Sequence, residues 1–143
     1  MGFALDLRAF TEKAKLASDT VVRKVVLDIG KELVERSPVG DATLWSSPPP
    51  PGYVGGRFRA NWQYQFDAPA TGTLPDIDPS GGASNRRILA GVSAAPAIGV
   101  HYLVNNLPYA RRLEDGHSSQ APKGMVGLTV IGWRQYVDKA ARA

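Results

Sequence analysis

The chain contains no cysteine. That absence removes disulfides, thiolate zinc sites and cysteine nucleophiles, and it is compatible with a reducing compartment. Histidine is almost as scarce, with His101 and His117 the whole supply. No H-x-x-x-H or H-E-x-x-H spacing exists and no acidic cluster surrounds either ring, so a metal site lacks its ligands. No apolar run approaches the ~20 residues needed to cross a bilayer. The opening "MGFALDLRAFTEKAK" has no basic leader ahead of an uncharged apolar stretch, and Asp6 stands where N-myristoylation requires Ser or Thr. Glycine-rich phosphate loops are missing too: "GYVGGRF" (52–58) neither follows a strand nor opens a helix. No internal repeat is visible. These absences together predict a soluble intracellular protein without metal, nucleotide or other cofactor.

Charge is present but thinly spread. Seventeen Lys and Arg face thirteen Asp and Glu, a net charge of +4, and residues 105–143 hold six basic against three acidic residues. This permits weak attraction to nucleic acid or to an acidic protein surface. A dedicated DNA reader carries a denser basic stripe.

At 143 residues and 43% apolar content the chain suits one domain, 1–143, with a real core. Apolar residues recur at helical spacing from Phe3, Leu7 and Phe10 through Ala14, Ala17 and Val21 to Ile29 and Leu33, which predicts a helix over 6–36. Asp6 is a candidate N-cap, "SDT" (18–20) a candidate break, and Pro38 stops the helix by disfavouring helical geometry at Ser37. Residues 37–56 then form an extended proline-rich arm, with Pro48–Pro51 favouring polyproline II and Trp45 and Tyr53 flanking them. "RFRANWQYQF" (57–66) alternates apolar and polar residues throughout, the signature of a half-buried strand. A mobile hairpin loop is expected over 67–85, a return strand over 86–92 and a further strand over 97–104. After residue 105 the pattern predicts a short helix opened by Pro108 and closed by Gly116, a loop, a strand over 124–131 and a C-terminal helix over 132–143. The fold class is therefore α+β, with long N-terminal and C-terminal helices packed on a small antiparallel sheet.

One stretch invites a catalytic reading. "LEDGHSSQAP" (113–122) places Glu114, Asp115, His117, Ser118 and Ser119 within six positions. A hydrolase nucleophile elbow needs G-x-S-x-G between a strand and a helix. Here the closing glycine is missing, a helix precedes the loop and Pro122 follows it. The segment reads better as a shaped loop, and no catalytic residue is assigned. Glu114 sits unfavourably at the negative end of its short helix, so it requires a partner, with Arg111 or a neighbouring subunit's arginine the simplest. His101 reads as a strand residue paired across a sheet, and His117 as a loop hydrogen-bonder.

Two segments resemble a known family. The helix running into "ERSPVG", followed by "GGRFRANWQ", is similar to a pattern of helix, Ser/Thr-Pro-Val, a glycine pair and Arg-x-Arg. "VNNLPYARRLEDGHSSQAPKGMVGLTV" is similar to Tyr-Ala, then Glu-x-Gly, a polar loop and Pro-x-Gly-Met-Val. Together they resemble the neck or tail-completion proteins of long-tailed bacteriophages, over nearly the whole chain apart from 67–85. The insertion "DATLWSSPPPPGYV" departs from the commoner short form. The resemblance implies a non-enzymatic virion protein that forms a ring, such as a hexamer, at the head–tail junction. Its implied partners are the head-completion or connector proteins and the tail-tube or terminator protein, with DNA passing through unread and no membrane involved. The implied location is the virion, reached by way of the host cytoplasm. Residue by residue it carries over to Pro38, Gly56, Arg57 and Arg59, and to Tyr109, Ala110, Glu114, Gly116 and Pro122, with His117 an added contact candidate. The alternative from charge alone is a basic nucleic-acid-binding module using Arg57, Arg59, Arg86, Arg87, Arg111 and Arg112.

Overall fold

A computed structural model describes the backbone of residues 3–142 and the side chains of residues 13–142. The elements are α1 (Phe3–Arg36), α2 (Arg57–Ala60), β1 (Gln63–Phe66), α3 (Gly82–Ala94), β2 (His101–Val104), α4 (Ala110–Glu114), α5 (Val126–Ile131) and α6 (Trp133–Arg142), with a 3-10 turn at Ala42–Leu44. The fold is mixed α+β: a long N-terminal helix, a C-terminal helix and a two-stranded antiparallel sheet packed against helices.

Helix α1 runs unbroken for 34 residues, about 51 Å at ~1.5 Å per residue. The expected break at 18–20 does not occur, because Thr20 Oγ1 returns its proton to the Leu16 carbonyl at 3.0 Å instead of capping a new helix. Asp6 lies inside the helix, not at its start. The side chains of Phe3, Leu7 and Phe10 lie outside the described residues. Lys13 to Ser18 are exposed, while Leu33 and Val34 are buried, so among the described residues the C-terminal half of α1 carries the packing. It lies against α3 and α6. Gly30 admits Ile88, whose Cγ2 comes within 3.1 Å of where a Cβ would stand. Arg23 ties the same pair of helices by donating to the Ala95 carbonyl at 3.0 Å.

Three predicted strand segments correct to helix, in whole or in part. Residues 57–60 form α2, and only Gln63–Phe66 of the alternating run is strand. Phe58 and Trp62 are both buried and four residues apart, a separation that suits a helical turn as well as a two-residue period. Residues 86–92 lie within α3, whose buried Ser84, Ile88 and Val92 recur at i, i+4. Residues 126–131 form α5 despite their β-branched content, for a reason given by Glu114 below. The strand at 97–104 shrinks to His101–Val104, since Ile98 and Val100 are exposed. Pairing joins Gln63 to Val104 and Phe66 to His101, so the strands meet across a connection that contains α3, not a hairpin.

The segment after β1 is stapled by side chains. Asn61 is fully buried; it accepts from the Leu74 N–H at 2.8 Å and donates to the Leu74 carbonyl at 3.0 Å. Asn106 donates to the Ala70 and Gly72 carbonyls at 2.9 and 3.0 Å. His101 pairs across the sheet as expected, and its ring also links Tyr64 Oη, 2.7 Å from Nδ1, to the Ala97 carbonyl, 2.8 Å from Nε2.

The core gathers Leu33, Val34, Phe58, Trp62, Ile88, Val92, Leu107 and Met125. At its edge α1 ends in a buried polar knot. Ser37 Oγ donates to the Leu33 carbonyl at 2.6 Å and accepts from Trp62 Nε1 at 2.7 Å. Ser37→Ala should therefore leave a buried indole N–H without an acceptor and lower stability by about 2 kcal/mol. Urea denaturation measures this, and an unchanged midpoint would contradict the assignment.

Candidate functional site

The polar loop 115–125 is built on one carboxylate. Glu114 Oε2 accepts from the backbone N–H groups of Met125 and Val126 at 2.8 and 2.9 Å, and Oε1 from that of Gly127 at 2.9 Å. The first turn of a helix leaves such donors unpaired, and here a side chain from the preceding helix satisfies three of them. Its partner is thus the start of α5, not Arg111 or another subunit's arginine. This explains why α5 is helical: the capped amides and a negative charge at the positive end of the dipole outweigh strand propensity. Burial works to raise the Glu114 carboxyl, but the three backbone donors outweigh it and hold the pKa below its ordinary value.

Two glycines let the loop close. Gly124, at φ +79°, has the Glu114 carbonyl 2.4 Å from any added Cβ. Gly116, at φ +92°, faces the Pro122 carbonyl at 2.5 Å in the same way. The spacing Glu-x-Gly, polar loop, Pro-x-Gly is therefore the chemistry of one closed turn. At its tip Gln120 reads the arm: its Oε1 accepts from the Val39 N–H at 3.0 Å and its Nε2 donates to the Val39 carbonyl at 2.7 Å.

The loop and the arm enclose a cleft of ≈ 550 Å³. Pro38, Gly56 and Arg57 line it from the first motif, and Tyr109 and His117 from the second. Phe58 and Tyr109 form its floor, with ring centroids 6.1 Å apart, and Trp45 and Tyr53 one wall, at 4.7 Å. Burial raises the Tyr109 phenol above its ordinary pKa, with the Arg57 charge pulling the other way and Tyr53 adding to the rise. Ala110 packs against the core and Glu114 is half-buried, and neither lines the cleft. Pro122 and Arg59 instead border a smaller neighbouring cavity.

Arg59 is turned inward. Its guanidinium donates to the carbonyls of Pro79, Ser37 and Glu35 at 2.7, 2.8 and 3.2 Å. Arg87 is likewise spent on the Ala60 and Trp62 carbonyls at 2.7 and 3.0 Å. Arg57 stays exposed on the cleft rim.

Ser118 Oγ accepts from the Gln120 N–H at 3.2 Å. Among the described residues no hydrogen bond joins His117 to Ser118 or to a carboxylate, and no group of three potential metal ligands occurs. The loop has the bonding of a turn. No described helix is long and apolar enough to cross a membrane.

Sequence reasoning passed over Asp78, which is buried and does for α3 what Glu114 does for α5. Its carboxylate accepts from the Ser84 N–H and hydroxyl, both at 2.7 Å, and from the Gly81 N–H at 3.2 Å. The run "DPSGGAS" carried the signal, an acid and small polar residues ahead of a helix. Gln120 and Asn61 carried none, since an amide that binds backbone across a fold looks like any other.

This chain matches no described protein family, no curated protein and no solved structure.

Glu114→Ala should cost about 2 kcal/mol at neutral pH, the upper range for losing a cap. Because the folded carboxyl lies below its ordinary value near 4.5, its stabilisation is complete above that value and is lost as pH falls through the lower folded pKa. The gap between wild type and variant in thermal melts should thus close on acidification. A gap independent of pH would show that the carboxylate is not the source.

Proposed function

We propose that this chain is a structural subunit of the head–tail junction of a long-tailed bacteriophage. As a neck or tail-completion protein it packs into a ring around the DNA channel and joins the connector to the tail. The observation that carries this reading is convergence. Pro38, Gly56 and Arg57 of the first motif are separated by about fifty residues or more from Tyr109 of the second, yet they line one cleft with it, beside the contact candidate His117. The two motif stretches behind the resemblance thus correspond to one three-dimensional unit.

The surface supports a role in assembly. A closed ring needs head-to-tail contacts, hence two different patches on each subunit. Val130, Ile131 and Trp133 are 59%, 80% and 50% exposed at the junction of α5 and α6, and Leu44, Trp45 and Val54 are exposed on the arm. Large apolar residues grouped in this way suit protein contact. In this reading His117 and Ser118 are contact residues with no catalytic part, and the protein resides in the virion after assembly in the host cytoplasm. The nucleic-acid-binding alternative loses Arg59 and Arg87 to internal carbonyls. Arg57, Arg86, Arg111 and Arg112 remain exposed, which suits a channel that lets DNA pass without reading it.

Deleting the gene from the phage or prophage that encodes it should yield filled heads and finished tails that fail to join, visible by negative-stain electron microscopy. Joined virions of normal appearance and number would reject the reading. Binding of the purified chain to duplex DNA with a steep salt dependence, alongside normal virions, would favour the alternative.

A further inference from the structure

The arm and the cleft carry two halves of one recognition pair. Pro48–Pro51 are all exposed. In polyproline II four residues span about 12 Å, a stiff ligand that loses little entropy on docking. Prolines have no N–H, so the segment offers only carbonyl acceptors. Among the described residues only the Pro50 carbonyl finds a donor, the Tyr53 N–H at 3.1 Å.

The cleft has the matching chemistry. Grooves that select proline-rich segments present flat aromatic faces to the rings and a few donors to the carbonyls. Trp45, Tyr53 and Tyr109 supply the exposed faces, with the buried Phe58 ring also on the lining. Arg57 supplies a cation on the rim with no hydrogen-bond or ion-pair partner among the described residues. The other charge on the lining, Asp41, is held by the Thr43 hydroxyl and N–H at 2.6 and 3.0 Å. Among the described residues Arg57 is thus the one free side-chain cation on the lining, and the arm, with no charged residue from 42 to 56, offers it carbonyl acceptors. The volume of ≈ 550 Å³ lies within the range of small-ligand and peptide pockets.

The pair is not satisfied within one copy. Trp45 and Tyr53 pack ring against ring at 4.7 Å and pinch the base of the loop 46–52. None of residues 46–52 lines the cleft of its own chain. We infer that the aromatic cleft of one copy receives the Pro48–Pro51 segment of a second copy of this chain, so that the arm is a contact between copies. The inference rests on the self-assembly part of the proposed function, which supplies the neighbouring copy.

The absence of native cysteine makes the test clean. One tagged copy carries Pro49→Cys, a differently tagged copy carries Ser119→Cys, and the full-length proteins are mixed and oxidised. A disulfide between the two tags is expected, and a synthetic peptide of residues 46–53 should suppress it by competition. A copy with cysteine at Lys13, on the exposed part of α1, should not cross-link to Pro49→Cys. Titrating the peptide into isotope-labelled protein should move the amide signals of Trp45, Arg57, Tyr109 and Ser118. Tyr109→Ala should weaken peptide binding by about tenfold or more, as truncating a central interface aromatic does. Arg57→Ala, at an exposed position that leaves the fold intact, should weaken it as well. No cross-link between copies together with no peptide-induced shift would overturn the inference, even where electron microscopy shows rings, and the ring reading would then survive without it. Equal binding of a peptide with the four prolines replaced by Gly and Ser would overturn it too. Normal virions after gene deletion would reject the phage reading while leaving peptide binding as a separate result.

Discussion

Where α1 stops determines how the rest of the chain is placed. The last carbonyls of a helix have no partner within it, and here they are claimed by a side chain from beyond the arm. The Arg59 guanidinium holds the Glu35 and Ser37 carbonyls and, with its other nitrogen, the Pro79 carbonyl. One planar donor thus fixes the end of α1, the start of α2 and the approach to α3. Gly56 makes this possible. At φ +114° it puts the Pro79 nitrogen 2.5 Å from where a Cβ would stand, and its carbonyl accepts from the Asp78 N–H at 3.1 Å. With Trp62 bonded to Ser37, the hydrophobic core and this polar knot share a residue.

The same physical problem recurs along the chain. Helices of four to six residues and a two-stranded sheet are too short to be stable alone. Side chains outside these elements, some near and some far in sequence, satisfy exposed backbone groups. Glu114 does so for α5, Asp78 for the longer α3, and Gln120 and Asn61 for irregular segments. This explains what could be read from the sequence. Helix α1 was legible over 6–36 because apolar spacing and a stop at Pro38 are local properties. The C-terminal helix, the helix closed by Gly116 and the α+β class were legible for the same reason. The strand readings at 57–66, 86–92 and 124–131 failed in whole or in part because Phe58 and Trp62 fit a helical turn as well as an alternating run, and because the caps of α3 and α5, Asp78 and Glu114, lie outside the runs read as strands. At the site, the Glu114–Gly116 spacing was visible but its purpose was not, because nothing in "LEDG" says that the acceptor's donors lie eleven to thirteen residues on.

That distinction changes what the motif residues mean. Glu114 and Gly116 do not line the cleft and Gly56 offers it only backbone; they are the means by which two loops turn back and face each other. Any chain that had to bring an arm and a polar loop together across the end of a long helix would need residues of these types at these spacings. A match to them therefore speaks first for an architecture. The groups that could recognise a partner are a different set: Arg57, Tyr109 and His117 on the lining, and Leu44, Trp45 and Tyr53 on the arm.

The proline insertion belongs with that second set. It adds nothing to the core, since residues 46–52 are exposed and the turn at Ala42–Leu44 buries none of its residues. It is nonetheless held in place at both ends, by the Trp45–Tyr53 ring pair and by Gln120 clamped on Val39. Ordering costs conformational entropy of roughly 1–2 kcal/mol per residue, and an arm with no task would not be expected to carry such anchors. A stiff segment fixed at its base and bare along its length is poised for a contact outside its own chain, with less entropy left to lose when that contact forms. The polar cluster beside it, which first suggests cleavage chemistry, is better understood as the opposite lip of the same surface.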